Sequence, residues 1–114
     1  MAALTLPLLF QDRVNELGEG VALREKKKGL WRRISWNEYD THVRNFCLGL
    51  KSFGLEKGDR VSILGDNCQE WLYADLATQA AGGISVGVYP TNSYVQVRYI
   101  LDHSQSKWVI VKDQ

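Results

Sequence analysis

A nucleotide-dependent enzyme on a small α/β scaffold needs a glycine-rich phosphate loop, and neither GxGxxG nor GxxxxGK[ST] occurs in this sequence. Gly65-Asp66-Asn67 falls between a strand pattern and a helix pattern, where backbone amides can meet an anion. Asp66 opposes that use, so helix capping is the preferred reading. Thr91-Asn92-Ser93 follows the next strand pattern; its hydroxyls and amide could face a ligand, but a turn after Pro90 with Ser93 as a cap explains them better. No serine sits in a GxSxG elbow. Cys47 lies on the apolar stripe of its helix and reads as core, while Cys68 opens a helix, where a thiolate is favoured but a small first-turn residue suffices. The spacing leaves a single disulfide between the two cysteines open.

His42 falls on the outer side of its helix and His103 just past a helix end, where a cation suits the dipole. Two histidines and two distant cysteines make a poor zinc set. Asp59 and Asp66 flank one strand from opposite ends and cannot act on one bond. Arg24, Lys26, Lys27, Lys28, Arg32 and Arg33 form a basic hairpin beside Trp31. A solvated hairpin is preferred there over contact with anionic lipid or an acidic partner. The residues thus assign no catalytic, cofactor-binding or metal-binding position.

These residues need elements to hold them. Leu6, Phe10, Val14 and Leu17 recur at helical spacing behind Thr5 as N-cap, with Gly18 as the stop. Val21–Arg24 and Leu30–Ile34 read as two strands around a Glu25–Gly29 tip. Ser35-Trp36-Asn37-Glu38 is a capping box, and Tyr39, Val43, Phe46, Cys47, Leu50 and Phe53 carry the helix to Gly54. Leu55 supplies the apolar contact after that stop. A turn at Lys57-Gly58-Asp59 leads to the strand Arg60–Leu64. A second capping box, Asn67 to Glu70, opens a helix that stops at Gly82-Gly83. The strand Ile84–Val88 ends at Pro90. A third box, Ser93 to Gln96, opens a helix to about Asp102 before the strand Lys107–Val111.

Helices alternating with strands imply parallel strands with right-handed crossovers. The expected fold class is α/β: an N-terminal helix and β-hairpin, then alternating units of a mainly parallel, doubly wound sheet covered on both faces. No helix pattern follows the last strand, so the sheet reads as incomplete at its C-terminus. The 114 residues bound the chain to one small domain; 45% apolar, 11% aromatic and 24% charged residues exclude disorder. Fourteen basic against thirteen acidic residues give +1, no global field for nucleic acid or membrane. The run Leu4–Phe10 is too short to span a bilayer and lacks a basic n-region. The composition reads as a reduced cytoplasmic protein, with peripheral membrane contact as the lesser alternative.

The ordered set Val21–Glu25, Trp31, Ile34–Tyr39, Leu48-Gly49-Leu50, Gly54-Leu55, Lys57–Val61, Leu64–Asn67, Glu70-Trp71, Gly82–Thr91 and Tyr99–Leu101 resembles the N-terminal region of the adenylate-forming (AMP-binding) enzymes. It is most similar to their long-chain fatty-acyl-CoA synthetase branch. Ile34-Ser35-Trp36 stands where relatives often carry an apolar-Thr-apolar run, a change that keeps a good helix cap. The resemblance implies that residues 1–114 are the N-terminal part of the large adenylate-forming domain, without the small C-terminal domain. It implies ATP-dependent joining of a fatty-acid carboxylate to CoA through an acyl-adenylate, with Mg²⁺ on the phosphates. The nucleophile would be the substrate's own carboxylate, so the enzyme's task is positioning and charge stabilisation. The family's phosphate loop, adenine contacts and C-terminal lysine have no counterpart here. The fragment is expected to be inactive alone and to bind none of these cofactors well. Its alternative is a stand-alone, non-catalytic α/β binding or interaction module.

Overall fold

The computed structural model describes residues 5–65 and 68–111. Helix α1, Leu6–Leu17, starts where the Thr5 hydroxyl accepts from the Leu8 amide at 3.3 Å, with Pro7 in its first turn. It ends where the Gly18 amide donates to the Val14 carbonyl at 2.9 Å. Phe10 and Val14 are buried, but Leu6 and Leu17 are exposed. Only the middle of the expected apolar stripe meets the rest of the fold.

Strands β1, Val21–Lys27, and β2, Leu30–Ser35, form an antiparallel two-stranded sheet. The turn is narrower than the sequence suggests. Only Lys28 and Gly29 remain outside the strands, at φ 52° and 79°. Positive φ at both central residues is the geometry of a tight two-residue hairpin, and glycine adopts it at no steric cost. Ile34, fully buried, ties the hairpin to the core.

Helix α2, Trp36–Ser52, follows directly. The Ser35 hydroxyl accepts from the Glu38 amide at 3.0 Å. The reciprocal half of the expected capping box is replaced: the Glu38 carboxylate takes the Arg32 guanidinium at 2.8 Å. The helix closes in a Schellman motif, with the Gly54 amide on the Lys51 carbonyl and the Leu55 amide on the Leu50 carbonyl, 3.0 and 3.1 Å. Leu50 and Leu55 are both buried, the apolar contact such an ending requires. Phe53, expected on the stripe, is the C-cap; it is largely exposed, with its ring 6.1 Å from that of Trp108.

Strand β3, Arg60–Leu64, lies between β4, Ile84–Val88, and β5, Trp108–Val111, in the order β4-β3-β5, all parallel. Helix α3, Gln69–Ala80, links β3 to β4, and α4, Tyr94–Ser104, links β4 to β5. The two crossovers run in opposite directions along the sheet, as a doubly wound arrangement requires. Cys68 is the N-cap of α3 and makes no side-chain cap hydrogen bond. The expected cap, Asn67, lies outside the described residues, as does Asp66. The third capping box is complete: Ser93 Oγ accepts from the Gln96 amide, and Gln96 Oε1 accepts from the Ser93 amide. Helix α4 runs to Ser104, two residues past its expected end, and stops at Gln105 in the left-handed region.

The sheet's two faces differ. Val61, Ile63, Trp108 and Ile110 point to one face and join the core with α2 and α3. The opposite face holds Ser62, Val109 and Val111; α4 runs on this side and has no buried residue. Val109 is 45% exposed and Val111 60%. Ser62 and Val88 on this face are nevertheless buried, so the expectation of two covered faces holds over β3 and β4 and fails only at the β5 edge. Tyr94, Val95 and Tyr99 of α4 stand in solvent, while its Val97, Ile100 and Leu101 are half-buried.

Candidate functional site

In an open parallel sheet, ligands bind beyond the carboxyl ends of the strands, at the point where the crossovers reverse direction. Here that edge carries Leu64-Gly65, Val88-Tyr89 and Val111, with the starts of α3 and α4 beside them. Two adjoining clefts open along it. One, of about 390 Å³, lies between β3 and β5 and is walled by Phe46, Ile63, Leu64, Gly65, Cys68, Glu70, Trp71, Ile110 and Val111. The other, of about 550 Å³, lies between β3 and β4 and is walled by Gly65, Trp71, Gly87, Val88, Tyr89, Pro90 and Thr91. Both volumes fall in the range of small-molecule sites.

Trp71 and Gly65 are shared by both walls. A Cβ added at Gly87 would stand 3.5 Å from Trp71 Cζ2, an ordinary contact distance, so the indole lies directly against β4 at this position. The sequence did not mark Trp71 as the divider between two clefts, since a tryptophan inside a helix reads first as core.

The residues singled out by chemistry do not converge. Gly65 and Thr91 reach the clefts, but Ser93 is spent on its cap and the Asn92 amide on the Tyr89 carbonyl at 3.1 Å. Cys68 reaches the first cleft; Cys47 sits half-buried against the core on α2, and both thiols are free. His42 stacks on Tyr73 with centroids 4.6 Å apart, and His103 stacks on Tyr99 at 5.4 Å. His103 lies in the last turn of α4, not beyond it. Asp59 is at the opposite edge of the sheet, where its carboxylate accepts from the Glu56 amide at 2.8 Å and from Lys107 at 3.4 Å. Among the described residues no group of three or more His, Cys, Asp or Glu is placed to hold a metal ion. Neither cleft wall carries a lysine or arginine that would meet phosphate oxygens.

Behind the clefts stands an aromatic cluster. Tyr39 meets Phe10 at 4.7 Å, Tyr73 at 5.4 Å and Trp36 at 6.3 Å between centroids. Burial pushes both tyrosine hydroxyls up to about 12, aided by Asp75 for Tyr39 and by Glu38 and Glu70 for Tyr73. Tyr73 donates to Gln69 Oε1 at 3.2 Å. These tyrosines stay protonated at neutral pH and serve as packing that fixes α2 against α3.

The pattern described as "AMP-binding enzyme" matches residues 10–114. The chain is 36% identical over 110 residues to a long-chain-fatty-acid–CoA ligase of Xenopus laevis, covering 96% of this chain and 15% of that protein. The fold superimposes on the N-terminal subdomain of Klebsiella oxytoca NpsA in complex with 3-hydroxyanthranilyl-AMSN, with TM-score 0.86, 22% identity, and 95% of this chain on 27% of that one. It superimposes equally on a fatty acid AMP ligase from Legionella pneumophila, with TM-score 0.84, 22% identity, and 94% of this chain on 19% of that one. The chain thus spans about one-sixth of the curated relatives it matches. With the family pattern running over nearly all of its length and the same sheet and helices in the same order, the chain belongs to the AMP-binding enzyme family.

Proposed function

We propose that this chain is the N-terminal part of the large domain of an ATP-dependent fatty-acid–CoA ligase. The observation that carries the reading is 36% identity to a long-chain-fatty-acid–CoA ligase across 96% of the chain. In the reaction, the fatty-acid carboxylate attacks the α-phosphate of ATP, pyrophosphate leaves, and the CoA thiol then displaces AMP to give the thioester. Mg²⁺ would accompany the phosphates. In this reading the chain supplies scaffold rather than reacting groups: strands β3 to β5 present one ligand-facing edge, and α2 and α3 brace it. Two free thiols support a reducing, cytoplasmic setting; among the described residues no helix is long and apolar enough to cross a membrane.

The test is carboxylate-dependent exchange of labelled pyrophosphate into ATP, run on the 114-residue chain and on a longer protein that contains it. The expected result is exchange by the longer protein with a fatty acid and none by the chain. Absence of exchange with every carboxylate in the longer protein overturns the ligase reading; exchange by the chain overturns the scaffold role.

A further inference from the structure

The β1–β2 hairpin has two unlike faces. Residues directly opposite each other on paired strands share a face. Leu23 pairs with Ile34 and Glu25 with Arg32, and this face turns to the core: Ile34 is buried, Leu23 packs on the cluster, and Arg32 is held by Glu38 at 2.8 Å. The other face pairs Arg24 with Arg33 and Lys26 with Trp31, and all four are exposed. Lys26 Nζ lies 6.0 Å from the centre of the Trp31 ring, and Lys28 adds a fourth cation at the turn.

The fold does not explain this outer face. Like charges directly opposite on a sheet are destabilising, and Arg24 against Arg33 is such a pair, with no acidic residue on that face. At the tip, Trp31 on this face is 68% exposed and Leu30, next to it but on the other face, is 75% exposed, so the end of the hairpin is apolar on both sides. Cations behind a projecting Trp-Leu tip match an anionic bilayer surface: tryptophan and leucine enter the interface, and Lys and Arg meet headgroups. A soluble acidic protein would satisfy the cations but leave the tip uncovered.

We propose that this hairpin is a membrane-docking element that seats the protein on anionic lipid through Leu30, Trp31, Arg24, Lys26, Lys28 and Arg33. The inference stands on the hairpin alone and does not depend on the ligase reading.

Flotation with phosphatidylcholine vesicles containing about a third phosphatidylserine, against pure phosphatidylcholine vesicles, tests it. The protein should float with the anionic vesicles only, and less as salt rises. Each neutralised cation should weaken partitioning about fivefold, so the Lys26→Gln/Arg33→Gln double variant should lose about twenty-fivefold. Trp31→Ala should also lose binding while its circular dichroism stays that of the parent; these side chains are exposed, so the fold does not rely on them. No flotation with anionic vesicles overturns the proposal. So does flotation that the hairpin variants leave unchanged, which would assign lipid binding to the open β5 edge of the sheet. Retention on heparin without vesicle binding also overturns it, as the mark of a soluble polyanion site.

Discussion

Gly83→Ala should destabilise the protein through one collision. Gly83 sits just past α3, where the Gly82 amide bonds the Gln79 carbonyl at 3.0 Å and the Gly83 amide bonds the Thr78 carbonyl at 2.9 Å, a second Schellman ending. A Cβ at Gly83 would lie 3.1 Å from the Asp59 carbonyl oxygen, 3.1 Å from Thr78 Cγ2 and 3.3 Å from the Thr78 carbonyl oxygen. None of these can yield cheaply. Thr78 is fully buried, and the Asp59 carbonyl already accepts from the Ile84 amide at 2.8 Å, the bond that starts β4. Overpacking of this kind costs about 1–3 kcal/mol. Replacing glycine returns about 0.4–1 kcal/mol by narrowing the unfolded ensemble. The net is a loss of roughly 1–2 kcal/mol, or about 4–8 °C in Tm for a chain of this size. Urea unfolding followed by circular dichroism reads it as a lower midpoint at unchanged slope. Gly87→Ala is the control: its Cβ meets only Trp71 Cζ2 at 3.5 Å, an ordinary contact, so its midpoint should move by less than about 0.5 kcal/mol. A Gly83→Ala protein as stable as its parent, or a Gly87→Ala protein equally damaged, refutes the close-approach reasoning.

Two further outcomes are expected. Tyr39 and Tyr73 have hydroxyls raised from 10.0 to about 12, so the folded state keeps protons that the unfolded state loses. Their contribution is fully present below pH 10 and lost as pH rises toward 12; urea midpoints should fall across that window, and less steeply in Tyr73→Phe. At the open β5 edge of the sheet, Val109→Lys with Val111→Lys should reduce binding of a dye that reports apolar surface while leaving Tm nearly unchanged, since the two side chains are 45% and 60% exposed; a large drop in Tm would mean that edge is packed.

The elements were legible wherever a local signal and a periodic one agreed. Ser35 and Ser93 cap helices whose apolar positions follow at 3.6-residue spacing, and Gly54 and Gly82 stop helices in the conformation that favours glycine. The parallel sheet followed from alternation alone. Errors came where tertiary partners outbid local ones. Glu38 left its capping box because Arg32, six residues back on the adjacent strand, offers a charge-assisted bond. The hairpin tip looked wide because a run of lysines has turn chemistry, yet cross-strand pairing extends to Lys27 and Leu30. The clefts were legible only as an edge of the sheet. Trp71 divides them because α3 lays it against Gly87, a contact sixteen residues apart that no spacing rule carries.

Stability and ligand access are segregated to opposite edges of the same sheet. At the N-terminal edge, the Asp59 carbonyl holds the start of β4, the Arg60 carbonyl takes the Lys107 amide at 2.9 Å, the Gly58 amide bonds the Gly82 carbonyl at 2.8 Å, and Lys107 reaches the Asp59 carboxylate. Every strand start is cross-tied to another element. At the C-terminal edge, Cys68 offers α3 no side-chain cap, a difference of about 1 kcal/mol from a capped start, and two clefts separate the strand ends. A parallel sheet can afford this asymmetry because its register is set anywhere along the ladder and need not be held at both ends. Among the described residues, the C-terminal edge is therefore the one that leaves room for a ligand between its strand ends.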